Sequence, residues 1–339
     1  RPPPIQLIYV IVGCLFTAVE GLTPPAAPAA VLAAVTLTAV PSLAEIKGLE
    51  IIAPASPGGG WDQHARALQQ VLQSQNLASG IQVANIPGAG GTVGLAQFVT
   101  ARKRQPALLV GGQIMLGSIV TNKSVVTLDQ VAPLARLTGE YTALVVPSDS
   151  PIKTLADLIA TFKADPGSVS WGGGSAGGSD QILAGLIAKA VGVPPTKVNY
   201  VATAGGGELL ASALGGHITL GMGGYNEFAP QFQAGKLRAI AVSAPQRLQG
   251  SDTPTLKEQG VDLEFVNWRG VFMQANAKPA EKKDLEEAVA KAVASDEWKQ
   301  LARQRGWIDL YLPPAEFAAF LKQERAQIEG TLKDLGLVK

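Results

Sequence analysis

The sequence predicts an α/β fold in two lobes, and three observations carry that prediction. A short apolar run, a glycine-rich turn and a stripe of apolar residues at helical spacing recur four times along the chain. Two of these units fall on each side of the proline- and serine-rich break at residues 147–151, which places a lobe boundary there. At 339 residues, 47% hydrophobic and 16% charged, the chain is long enough for two cored lobes and too apolar for disorder.

The first unit is IIAPASPGGGWDQHARALQQVL. Residues 49–53 read as a buried parallel strand, and Ala65, Leu68, Val71 and Leu72 as one face of a helix that starts near Trp61 or Asp62. Residues 81–85 form the second strand, IPGAGGTVG the second glycine turn, and Leu95, Phe98 and Val99 the next helical stripe. Strand material follows at 108–111, with a flexible exit at Gly111, Gly112 and Gln113, and again at 134–146.

Beyond the break, residues 169–171 form a strand, GGGSAGGSD the third glycine turn with Ser179 as helix cap, and Ile182, Leu183, Leu186 and Ile187 the buried stripe. The fourth unit runs from the strand at 198–201 through TAGGGE to Leu209, Leu210 and Ala213. Strands at 218–222 and 237–242 and an extended segment at 263–272 complete the pattern. The remainder, 279–294, 297–304 and 314–335, reads as helices that return to the first lobe. The expected division is thus 45–145 for the first part of lobe 1, 146–266 for lobe 2 and 267–339 for the return to lobe 1.

Twenty-eight Lys and Arg against 27 Asp and Glu, with no long run of either sign, argue against a nucleic-acid partner. The single cysteine, Cys14, and two histidines supply no clustered metal ligands, and no cofactor is implied. Residues 1–44 read as a targeting segment. Two apolar runs are each too short for a stable span, and Ser42-Leu43-Ala44 offers a cleavage site. Ile11-Val12-Gly13-Cys14 resembles a lipobox, so a lipid anchor on Cys14 is the alternative to soluble release; either implies an exported, periplasmic protein.

The glycine turns are where chemistry is expected. Small residues leave main-chain N–H groups open, the first N–H groups of a helix have no intrahelical acceptor, and the macrodipole favours an anion there. The candidate ligand-binding residues are Pro57, Gly58, Gly59, Trp61 and Asp62 in the first turn, and Ala89, Gly90, Gly91 and Thr92 in the second. Gly174, Ser175, Ser179 and Asp180 follow in the third, Gly206 in the fourth, and Tyr225 and Asn226 on the wall. Asp62 and Asp180 equally fit helix caps, and Trp61, Trp171 and Trp268 fit the core. Arg66 fits a solvated surface, Arg269 could serve either role, and His64 and His217 read as surface or packing residues.

APASPGGGWDQHAR, NIPGAGGTVG, WGGGSAGGSDQILAGLIAKAVGV, NYVATAGGGE, AGKLRAIAVSAPQR, PTLKEQG and NWRG occur in that order. In this the chain resembles the extracytoplasmic solute receptors of tripartite tricarboxylate transporters, over most of its length from about residue 45. The resemblance implies a type II periplasmic-binding-protein fold that closes around a citrate-like carboxylate and delivers it to a membrane permease, as a monomer and without catalysis. It also implies that the first two turns clasp one carboxylate and the second-lobe turns, 174–180 and 204–207, the other end. Gln181 stands where family members often carry histidine, and Met273-Gln274-Ala275 replaces an Ala-Pro turn.

The enzymatic alternative is an α/β serine hydrolase, since Gly173, Ser175 and Gly177 fit GxSxG between a strand and a helix. It would need His217 as base with Asp180 or Glu208 as acid, all close to Ser175 in sequence. Gly172, Gly174 and Gly177 also match GxGxxG, but no acid ends the next strand to hold a ribose.

Overall fold

The computed structural model describes residues 45–101, 105–203 and 205–338. Residues 1–44, expected to be a targeting segment and including Cys14, and Ala204 lie outside the described residues.

In chain order the elements are β1 (Ile46–Lys47), β2 (Glu50–Ala53), α1 (Gly60–Ser74), β3 (Ala78–Ser79), β4 (Gln82–Asn85), α2 (Thr92–Thr100), β5 (Ala107–Gly112) and α3 (Gln113–Thr121). The long strand β6 (Val131–Pro147) precedes α4 (Leu155–Ala164), β7 (Ser170–Gly173), α5 (Ser179–Ala190), β8 (Asn199–Ala202), α6 (Gly206–Leu214), β9 (Leu220–Gly224), α7 (Tyr225–Gln233) and β10 (Leu237–Val242). β11 (Val266–Gln274), α8 (Pro279–Ala294), α9 (Asp296–Arg305), β12 (Ile308–Leu312) and α10 (Pro314–Asp334) complete it.

β6 organises the main sheet, whose order is β4-β2-β5-β11-β6-β9-β7-β8. Its first part pairs antiparallel with β11 and β12, its last part with β9 and β10. Thr138, Tyr141, Thr142, Val145 and Val146 suit the extended backbone, and most of the strand is buried. β2, β4 and β5 are parallel to one another, as are β7, β8 and β9. This is the pattern expected of strands joined by crossover helices.

The core follows the predicted stripes. Leu49, Ile51, Ile52, Leu68 and Leu72 are fully buried in the first half, and Trp171, Leu183 and Ile187 in the second. α8 and α9 pack on α1, while α10 lies across β6 and α3 with Trp268 edge-on to Phe317 and Phe320.

Four expectations are corrected. The segment after Gly112 is a helix, α3, rather than a flexible exit, and the C-terminal part contains a strand, β12, between its helices. α1 begins at Gly60, with Asp62 inside its first turn. Gly178 rather than Ser179 is the N-cap of α5.

Candidate ligand cleft

Six helices start on a glycine N-cap that offers no side-chain hydrogen bond: α1 (Gly59), α2 (Gly91), α3 (Gly112), α5 (Gly178), α6 (Gly205) and α7 (Gly224). The other four are closed differently. Thr154 caps α4 in a capping box, Ser295 caps α9, and Pro279 and Pro314 occupy the first turns of α8 and α10. The uncapped six all follow the C-terminal ends of the two parallel strand groups. The sequence reading found four of them; those of α3 and α7 are additional.

Strand register brings the two groups head to head. Gly112, at the end of β5, aligns with Arg269 of β11 and through it with Thr138 of β6, whereas Gly224, at the end of β9, pairs with Thr142. Four residues of extended chain, about 13 Å, separate the two levels. Helix starts from both halves therefore border one crevice, as open α/β sheets bind ligands beyond their strand ends.

Contacts across the crevice are close. A Cβ built on Gly117 of α3 would lie 2.2 Å from the carbonyl oxygen of Gly177, and one on Gly90 would meet Ser118 and lie 3.7 Å from Cβ of Ser175. Asn226 packs against Gly306 in the same way, and the Trp61 ring rests on Gly91, joining the first two turns. Ala89 and Gly90 have φ of 47° and 62°. For alanine that conformation is strained, and strain of this kind gathers at ligand sites.

At the level where the halves meet lies a charge cluster that sequence reasoning did not assemble. Arg269, 5% exposed, forms an ion pair with Glu140, 8% exposed, and Asn267 Nδ2 donates to the same carboxylate at 3.4 Å. Arg269 Nη1 stands 3.3 Å from His64 Nδ1, and His64 Nε2 stands 2.5 Å from Thr138 Oγ1. Burial and the Arg269 charge hold the His64 imidazole well below its ordinary pKa, so it is neutral, stacked 3.5 Å from Trp307.

Asp180 and Glu227 face this pair from the second half. Burial pushes the Asp180 carboxyl up to about 6, with Glu140 adding to the rise and the Gly174 N–H and Arg269 opposing it. Glu227 is ringed by protein at longer range yet presents its side chain to solvent, so it lines open crevice. Its surroundings and the Glu140 carboxylate push it up as well. Both Glu140 and Glu227 flank Gly224, and Glu227 stands at the start of α6 beside Gly206. Glu140 was legible in principle as a charge inside the apolar strand LARLTGEYTALVV.

The turns are less open than predicted. The Gly58 N–H donates to Asp62 Oδ2 at 2.8 Å, the Gly174 N–H to Asp180 Oδ2 at 2.9 Å, and the Gly177 N–H to Gln181 Oε1 at 2.7 Å. Gly59 and Gly91 donate to the carbonyls of Ser56 and Gly88. Amides 58, 59, 91 and 174 are therefore already used, as is that of Thr92, which donates to the Ala89 carbonyl, and the N–H groups without intrahelical acceptors are those of the first helical turns, including Trp61, Asp62, Ser179 and Gly206. Pro57 and Ala89 are exposed on the rim, and Ser175 sits at the junction between halves. Tyr225 turns away, its hydroxyl 2.8 Å from Ser251 Oγ. Arg66 is at the surface, bound to Asp62 and Asn85. His64 is core, and His217 is exposed.

The hydrolase arrangement does not assemble. Ser175 follows the C-terminal end of β7, whereas His217 precedes β9, which is parallel to β7, so the two stand at opposite ends of the strands.

The family model described as tripartite tricarboxylate transporter family receptor matches residues 64–337, which include the second strand group, β4 and β5 of the first, and five of the six uncapped helix starts, those of α2, α3, α5, α6 and α7. The chain belongs to this receptor family. A relative described as "UPF0065 protein in gbd 5'region", from Cupriavidus necator, is 26% identical over 320 residues, 92% of this chain and 96% of that protein. Two solved structures from Rhodopseudomonas palustris carry the same fold. One, bound to adipate, has a TM-score of 0.77 at 21% identity over 86% of this chain and 97% of its own. The other, MatC with bound malate, has a TM-score of 0.72 at 20% identity over 85% and 99%. Among the described residues no helix is long and apolar enough to cross a membrane.

Proposed function

We propose that the chain is an exported receptor that closes its two lobes, 45–145 with 267–339 and 146–266, around a small di- or tricarboxylate and hands it to a membrane permease. It acts as a monomer and performs no chemistry on the ligand. The observation that carries this reading is the convergence of uncapped helix starts from both halves on one crevice. Each charge-assisted hydrogen bond from such an amide contributes about 1.5–3 kcal/mol, so a few suffice for tight capture without a free Lys or Arg. Relatives of the same fold solved with malate and adipate support a ligand with two carboxylates. Raised carboxyl groups at Asp180 and Glu227 add a second source of donors: in the protonated form each offers an O–H to a ligand carboxylate.

Thermal denaturation with malate, adipate, citrate and the diamides of the first two tests this. A carboxylate at 100 times its dissociation constant adds about 2.7 kcal/mol, a rise of about 5 °C in a chain of this size, while the diamides add nothing. Equal shifts from acids and diamides, or ester turnover abolished by Ser175→Ala, would replace the receptor reading.

A further inference from the structure

Helix α10, 21 residues and about 31 Å long, reaches from one strand group to the other. Its first half is fixed on the first group. Phe317 and Phe320 stand edge-on to Trp268, and Glu324 accepts from Trp268 Nε1 at 2.9 Å and from Gln113 Nε2, at the start of α3, at 3.3 Å. Its C-terminal end lies against α5 of the second group. Leu335, 2% exposed, fills a notch at Gly185, where an added Cβ would stand 2.6 and 2.8 Å from the two Leu335 methyls. Glycine inside a helix is destabilising relative to alanine, so one in the middle of α5 needs a reason, and the close approach of Leu335 supplies it.

Beyond Leu335 the chain turns back on itself. Gly336, at φ 68°, ends the helix, and the Leu337 N–H donates to the Leu332 carbonyl at 2.9 Å. A Cβ on Gly336 would stand 2.7 Å from Thr196 Cγ2, so the tail is seated on the segment that follows α5. Leu335, Gly336 and Leu337 border a cavity of about 150 Å3 that Gln181 also lines, one turn of α5 before Gly185. Gln181 Oε1 holds the Gly177 N–H of the third glycine turn, and Gly177 is where that turn meets α3. The Lys189–Asp334 ion pair beside the notch is exposed and adds little.

We infer that residues 335–337 form a clasp between the lobes: seated at Gly185 they favour the conformation in which the halves touch, and Leu335 must leave its notch for the halves to part. The inference rests on the two-lobe reading above, in which α10 belongs to lobe 1 and α5 to lobe 2. Leu335 is a positioning residue. It acts through α5 and Gln181 on the third turn and stands outside the crevice.

Hydrogen exchange on the unliganded full chain tests this, with Leu335→Ala and Gly185→Ala altering the contact from opposite sides. Gly185→Ala strengthens α5 as a helix, so fraying of α5 cannot account for its effect. The starts of α3 and α5 face each other, a Cβ on Gly178 lying 3.4 Å from Ile114 Cγ2. Amides 113–115 and 179–181 there have no intrahelical acceptor, so their exchange follows the open population. Each variant should speed it at least tenfold while β2 and β5 stay as they are, and the double variant, whose added methyl fills part of the emptied notch, should exchange no faster than the faster single. Should either single fail to fold, removal of residues 335–339 reads the same contact. The readout needs no ligand, so failure of every carboxylate to bind would count against the receptor reading while exchange still decides this one. Faster exchange confined to residues 185–198 and 331–338 would overturn the clasp as local packing, and equal acceleration in β2 and β5 would overturn it as shared core.

Discussion

Gly117→Ala separates closure from folding. A Cβ at this position would stand 2.2 Å from the Gly177 carbonyl oxygen, where ordinary contact needs about 3.4 Å, so α3 and the third turn must part by about 1.2 Å. The obstacle is main chain, which cannot swing aside as a side-chain tip would. Overpacking of this kind costs about 1–3 kcal/mol. That cost falls only on the conformation in which the two halves touch, because Gly117 and Gly177 belong to different strand groups. With the halves apart, alanine favours α3 by about 0.8–1 kcal/mol over glycine. Affinity for the carboxylate with the largest melting shift should therefore fall about 5- to 150-fold by calorimetry, while the unliganded melting temperature holds or rises. A variant that melts several degrees lower and binds as before would show that this contact is permanent core and that the halves do not part.

The remaining predictions concern the charge cluster. Asp180 has a folded pKa of about 6 against 3.8, so the native state binds more protons across that interval and its contribution to stability falls as pH rises from about 4 to 6, by about 3 kcal/mol in all. His64, depressed when folded, acts oppositely: protonation of the unfolded chain below about 6.5 removes stability as pH falls. The two offset each other in the wild type, so Asp180→Asn should make the melting temperature drop with acid between pH 6 and 4, and a profile identical to wild type would count against the buried, raised carboxyl. Arg269→Met leaves Glu140 buried without its partner and should cost about 3–5 kcal/mol in urea denaturation; Arg269→Met with Glu140→Gln should recover part of it. Carboxylate affinity should tighten as pH falls from 9 to 7 while Glu227 takes up a proton, and Glu227→Gln should flatten that dependence; an unchanged slope in the variant would place the titration elsewhere.

The glycine turns after β2, β4, β7 and β8 could be read from the chain because everything that defines them is local: an apolar run, small residues, then a helical period. α3 escaped because QIMLGSIVT is apolar on nearly every side; it is wedged between the third turn and α10 and has no polar face to set a period. β12 escaped because five residues between two helices become a strand only by pairing with β6 at residues 136–139. The capture of amides by Asp62, Asp180 and Gln181 depends on which way a side chain folds back, which composition does not encode. The meeting of Glu140, Arg269, Asp180 and Glu227 depends on register between β6 and two strands far from it in sequence, β9 and β11.

Amide chemical shifts on a ¹⁵N-labelled chain, followed during titration with the carboxylate that stabilises it most, ask whether main-chain donors at the helix starts hold the ligand. Downfield movement at the first turns of α1 and α2 together with those of α5 and α6 is the predicted result. Saturable binding that leaves these amides unmoved, or moves those of one half alone, would contradict it.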